Sequence, residues 1–160
     1  MEIQIRKATP QDMPAVLDLI IELAIFENEP NAVKVTVDVL KKEGFGDNPM
    51  FTCFVAEINE EVVGMALVYF RFSTWSGRTV HLEDLVVKET YRGKGVGDLL
   101  YTEVMKFALK NDAKKVQWIV LNWNKGAIKF YERSGAEIDK EWYLAFMDQE
   151  GMKNHINRNS

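Results

Sequence analysis

The chain has 160 residues and a net charge of −4, from 20 Lys+Arg against 24 Asp+Glu. Hydrophobic residues make up 47% and charged residues 28%, which fits a globular protein and argues against disorder. No apolar run reaches the roughly 20 residues of a membrane helix, and no basic-then-apolar leader opens the chain, so neither a membrane span nor a signal peptide is expected. The single cysteine, Cys53, excludes an internal disulfide and any cysteine-cluster metal site, so no metal and a reducing, cytoplasmic setting are expected.

Alternation over residues 3–7 predicts a short strand. Thr9, Pro10 and Asp12 then open a helix, with Met13, Val16, Leu17, Ile20, Leu23 and Ala24 at helical spacing. Residues 27–35 are a loop. Thr36 starts a second short helix that Gly44 ends. Residues 51–58 and 62–72 form a hairpin around a tight turn at Asn59, Glu60 and Glu61. A further turn carries Trp75 and Gly77, and residues 79–87 form the next strand. A glycine-rich loop, Tyr91 to Gly97, leads into a helix with Val96, Leu100, Val104 and Phe107 on one face. A strand over 116–121, a helix from Asn124 to Arg133 ended by Gly135, and a last strand over 142–147 complete the series. The expectation is a single domain over residues 1–148, a mixed sheet with helices packed against it, and a polar tail over 149–160 that frays.

Charge is uneven along this order. Residues 88–133 hold 10 basic and 5 acidic side chains, a net of +5, which leaves −9 for the rest. One segment therefore suits an anion while the remainder suits cations. Overall acidity argues against general nucleic-acid binding.

Chemistry concentrates between Leu82 and Leu100. Glycines let a backbone turn its N–H groups inward, and a helix N-terminus adds its dipole, so phosphate oxygens fit there. It is not a P-loop, because Lys94 is followed by Gly95 and no hydroxyl residue follows. It is not a dinucleotide fingerprint either, since the third glycine falls at Asp98. The spacing is Arg-x-x-Gly-x-Gly, carried by Arg92, Gly95 and Gly97.

With the element order, Asn124 and Tyr131, this loop resembles the pyrophosphate loop of the GCN5-related N-acetyltransferase (GNAT) family over nearly the whole chain. Leu82-Glu83-Asp84, Tyr91-Arg92-Gly93, Trp123-Asn124, Phe130-Tyr131, Glu22-Leu23-Ala24, Gly44-Phe45-Gly46 and Trp75-x-Gly77 resemble its diamine (spermidine/spermine) branch. The resemblance implies an α/β (α+β) fold with a central, mixed, mostly antiparallel twisted sheet of six to seven strands flanked by about four helices. It also implies acetyl-CoA as cosubstrate, a small cationic polyamine or diamine as acceptor, direct attack in a ternary complex, and a homodimer.

The roles it implies fall on named residues. Backbone N–H groups of Leu85, Val86 and Val87 hold the pantetheine arm, where the family's strand splays, while their side chains are core. Arg92, Gly93, Lys94, Gly95, Val96, Gly97 and Asp98 bind pyrophosphate. Asp98 departs from the small hydroxyl residue of the diamine branch, and Lys94 can offset its charge. Tyr131 donates a proton to the leaving thiolate. Asn124 caps its helix, contacts the coenzyme arm, or does both.

Glu83 and Asp84 point to opposite faces if the strand is regular. Two adjacent carboxylates in an apolar strand are costly unless paired or used. Their expected work is to bind the ammonium and relay its proton, with Glu83 leading; His81 is read first as a structural histidine and second as an alternative base. Glu27 matches an acceptor-binding acid, while Phe26 replaces a tyrosine and Asn122 replaces an acid. Trp75 stacks on the acceptor or packs under the hairpin. Because of Phe26 and Asn122, other acceptors stay open: thialysine, an amino acid, an aminoglycoside or a protein N-terminus. A non-catalytic acyl-CoA-binding module is the remaining alternative.

Overall fold

Apolar runs buried on both faces in the central strands build one five-stranded sheet, and its register sets the site. The computed structural model describes residues 2–158. Strands β1 (Gln4–Lys7), β2 (Thr52–Ile58), β3 (Glu61–Ser73), β4 (Gly77–Val87) and β5 (Lys115–Gln117) lie side by side in chain order. The first four pair antiparallel, and β5 joins β4 in parallel. The chain divides into two compact units, Met1–Ile119 and Val120–Ser160.

In the first unit, helices cover both faces of the sheet. Asp12 accepts bonds from the Thr9 backbone N–H at 2.7 Å and its hydroxyl at 3.0 Å, which fixes the entry to α1 (Met13–Phe26). Thr36 Oγ1 accepts from Val39 N and starts α2 (Val37–Phe45). Met13, Val16, Leu19 and Leu40 from these helices bury against Cys53, Val55, Met65, Leu67 and Val86 of the sheet. On the opposite face lies α3 (Val96–Lys110), whose Val96, Leu100 and Val104 are buried. Phe107 of α3 sits with its ring centroid 5.5 Å from both Phe54 and Phe70.

The second unit holds α4 (Lys125–Arg133) and α5 (Gln149–Arg158). Asn124 Oδ1 accepts from Ala127 N at 3.2 Å and caps α4. Residues 149–158, the expected polar tail, form α5, which Asp148 caps by accepting from Gly151 N at 2.8 Å.

The architecture is the mixed, mostly antiparallel fold expected, with a smaller sheet. There are five strands among the described residues, against the six to seven anticipated. Residues 142–147 form no strand: Trp142, Tyr143 and Phe146 are 72%, 96% and 89% exposed. A short run of apolar and aromatic residues marks a segment as able to pair, but a strand also needs a neighbour to bond to, and this segment pairs with none among the described residues. Likewise β5 covers Lys115–Gln117 and not 116–121. Among the described residues no helix is long and apolar enough to cross a membrane.

Candidate active site

The site begins with an irregularity in β4. Leu67 of β3 pairs with Asp84, yet the next residue, Val68, pairs with Leu82. Glu83 is thus an extra residue, a β-bulge. The bulge changes which way the acids face. Tyr69 pairs with His81, Leu67 with Asp84 and Met65 with Val86. Tyr69, Leu67 and Met65 alternate along β3 and belong to the core under α1. Asp84 therefore shares the α1 face with His81, and Glu83 reaches the same side, where its Oε2 accepts from Tyr69 Oη at 3.0 Å. The expectation for a regular strand, with the two acids on opposite faces, does not apply.

Electrostatics at this spot are unbalanced. Asp84 is pushed up to about 6, first by burial and then by the charges of Glu83 and Glu27. Glu27, at the C-terminal end of α1, is itself raised by burial. His81 Nε2 lies 3.3 Å from Glu83 Oε2, and burial lowers the imidazole's pKa. Among the described residues, no lysine or arginine pairs with Glu83, Asp84 or Glu27. Carboxylates gathered without a cation attract one from outside. Cys53 is 4% exposed, and burial with the charges of Asp12 and Asp84 pushes its thiol up to about 12, so it is no nucleophile near neutral pH.

Further along β4 the chain turns to the opposite charge preference. Pairing with β5 covers only Thr79 to His81, so residues 82–87 have no strand partner on that edge among the described residues. Leu85, Val86 and Val87 pair with β3 on the other edge, and Val86 is buried. Such an edge accepts an extended ligand by main-chain bonds. The loop after it contains Gly93 at φ +73° and Gly95 at φ +85°, values that disfavour any side chain. A Cβ placed on either glycine meets nothing within 4 Å, so open space lies over this backbone.

Gly95 is also the N-cap of α3, and no side chain caps that helix. The amides of Val96, Gly97 and Asp98 thus lack both an intrahelical acceptor and a side-chain cap. Open space, uncapped amides and the helix dipole fit a diphosphate. Asp98 lies in that first turn and brings a negative charge to it. Lys94 Nζ sits 5.1 Å from the Tyr91 ring centroid. The Arg92 side chain turns back to the fold: Nε donates to Val87 O at 3.0 Å, Nη2 reaches Glu22 Oε1 at 3.4 Å, and the guanidinium lies 5.7 Å from the Phe26 ring centroid.

Trp75 is 89% exposed in the turn before β4. Glu83 lies six positions beyond Gly77 along β4, about 20 Å at ~3.3 Å per residue, so Trp75 is not gathered with the acids of that strand. In the second unit, Asn124 spends its side-chain oxygen on the α4 cap. Tyr131 lies on α4, is 8% exposed, and packs edge-on against Phe130 at 5.4 Å. Sequence reasoning missed two residues. Tyr69 holds Glu83, and Glu22 accepts from both Arg92 and the Glu89 backbone N–H, the latter at 3.1 Å. Counting register back from the Ser73↔Gly77 end of the hairpin finds the Tyr69↔His81 pair before the bulge intervenes.

Comparison with known proteins bears on the family and the fold. A family model described as the acetyltransferase (GNAT) family matches residues 17–136. Thialysine N-epsilon-acetyltransferase of Mus musculus is 39% identical over 153 residues, covering 89% of this chain and 90% of that protein. Spermidine/spermine N(1)-acetyltransferase-like protein 1 of Homo sapiens is 34% identical, over 92% of this chain and 23% of that protein. Among solved structures, an integron cassette protein from the mobile metagenome of V. cholerae superposes with a TM-score of 0.79 at 21% identity, covering 98% of each chain, which speaks for the fold alone.

Proposed function

We propose, from the premise that the chain belongs to the acetyltransferase (GNAT) family, that it transfers the acetyl group of acetyl-CoA to a primary amine of a small diamine or polyamine. The observation that carries this reading is the meeting of Glu83, Asp84 and Glu27 without a lysine or arginine partner among the described residues. A small cation with more than one ammonium suits three acids better than a single one.

In this reading the amides of residues 93–98 hold the diphosphate, the free edge of β4 at Leu85, Val86 and Val87 lies along the pantetheine arm, and Asn124 lies beside that arm. The coenzyme supplies an activated acetyl thioester. Glu27 and Asp84 bind the acceptor's ammonium groups. Glu83 takes the proton from the attacking nitrogen, directly or through a water: an N–H bond breaks and an O–H bond forms. Tyr131 holds a phenolic proton for the departing sulfur. No covalent enzyme intermediate is needed, and the inert Cys53 thiol agrees with that. Two copies of the chain in the reducing cytoplasm complete the reading.

A second acceptor, thialysine, keeps the chemistry. The relatives bearing that name favour it, as do Phe26, which lacks a hydroxyl, and Asn122, which lacks a charge. Thiol release from acetyl-CoA, followed across spermidine, a short diamine, thialysine, lysine, an aminoglycoside and an N-terminal peptide, tests both. The expected outcome is the highest kcat/KM with a diamine. A thialysine preference selects the second acceptor, and acetyl-CoA binding without turnover of any amine ends the enzymatic reading.

A further inference from the structure

Glu83 is the residue that the bulge leaves unpaired in the β3–β4 ladder, so its backbone alone does not set its side chain. Two neighbours do. Tyr69 Oη donates to Glu83 Oε2 at 3.0 Å. His81 Nε2 lies 3.3 Å from that same oxygen. The two rings brace one another, with centroids 4.9 Å apart and planes 30° from parallel. Burial first, and then Glu83, push the Tyr69 phenol up to about 12, so it stays a donor. Burial lowers the imidazole's pKa although Glu83 opposes the shift, and a neutral imidazole can donate to Glu83 here only from Nε2. Arg71, the cation on the same stretch of β3, spends Nη1 on Gln117 Oε1 at 2.8 Å.

Glu83 Oε2 thus carries both contacts, while Oε1 has no bond within the protein among the described residues. We propose that Tyr69 and His81 are positioning residues for acetyl transfer, clamping one oxygen of Glu83 so that the other faces the acceptor amine. This rests on the reading of Glu83 as the proton acceptor. The clamp replaces the orientation that a regular strand would otherwise impose, and it is assembled from two strands, so neither residue suffices alone.

The test measures kcat, acceptor KM and thermal midpoint for Y69F, E83Q and the double variant, with acetyl-CoA and either spermidine or thialysine, whichever turns over. Phenylalanine keeps the ring against His81 and removes only the hydroxyl. Y69F is expected to lower kcat roughly tenfold while acceptor KM changes less than threefold. In the E83Q background the same change is expected to cost nothing more, because there is no carboxylate left to position. H81Q, which keeps an N–H donor, is expected to stay within threefold of the parent, whereas H81L falls about tenfold.

If E83Q retains the parent's kcat, the underlying reading of Glu83 fails. If E83Q is slow but Y69F is not, or the two losses multiply in the double variant, the clamp is overturned while Glu83 keeps its role. Equal losses in H81Q and H81L at unchanged thermal midpoint remove His81 from the clamp.

Discussion

Two groups of acids in the first unit meet opposite surroundings. Asp12 and Glu57 share Arg6, whose guanidinium bonds Asp12 through Nη1 at 2.8 Å and Nη2 at 2.9 Å, and Glu57 through Nε at 3.0 Å and Nη2 at 2.6 Å. That guanidinium holds Asp12 down to about 2. Glu83, Asp84 and Glu27 share no such cation among the described residues, and Asp84 rises to about 6. The first group is complete within the chain and joins β1 and β2 to the start of α1. The second has no partner cation within the chain among the described residues. A pKa that falls beside the chain's own arginine fits a role in the fold, and one that rises among other acids fits the cation-binding role proposed for Asp84.

The strongest way to break this contrast is to remove the proton acceptor. E83Q keeps shape and loses charge, and kcat is expected to fall about 100-fold, with acetyl-CoA affinity by calorimetry unchanged. Turnover within threefold of the parent would return Glu83 to the structural class.

Next comes the complete group. R6A leaves Asp12 and Glu57 without their cation, and urea unfolding at pH 7 is expected to lose about 2 kcal/mol while kcat per folded molecule holds. A large loss of kcat without loss of stability would merge the two groups.

Asp84 gives a smaller effect of opposite sign. Its folded value of about 6 lies above the ordinary 3.8, so the unfolded chain gives up that proton first. Ionising it costs stability progressively between those two pH values, and the full cost is present above the upper one. D84N is therefore expected to gain about 1–2 kcal/mol at pH 8 and nothing below pH 4, while acceptor KM rises. For the unaltered chain, acceptor KM should rise as pH falls through about 6, because a protonated Asp84 no longer attracts an ammonium.

The smallest effect belongs to Asp12. Its folded value of about 2 lies below the ordinary 3.8, so its stabilisation is present above the upper value and is lost as pH falls through the lower. Stability measured from pH 4 down to pH 2 should fall more steeply in the parent than in R6A, by under about 1 kcal/mol after solvent screening.

Much of the loop was legible beforehand. Gly93 and Gly95 adopt positive φ, as glycines opening a helix suggest, and α3 begins at Val96. Element order and most boundaries follow from periodicity, because burial of one face is a local pattern. The segment over 142–147 shows the limit. Its apolar run is real, yet those residues stay exposed, since pairing depends on a neighbour that no local pattern supplies.

The carboxylates divide the same way. Adjacency alone marks Glu83 and Asp84 as candidates, since neighbouring acids in an apolar strand are expensive, whereas only the family resemblance marks Glu27. Only tertiary structure decided that a bulge brings Glu83 and Asp84 to one face, that Tyr69 and His81 share one oxygen of Glu83, and that Arg6 bridges Asp12 and Glu57. Torsional freedom and apolar periodicity act over a few residues, whereas strand register and cross-strand pairing join residues further apart, 14 positions for Tyr69 and Glu83 and 51 for Arg6 and Glu57, and form only when the strands align.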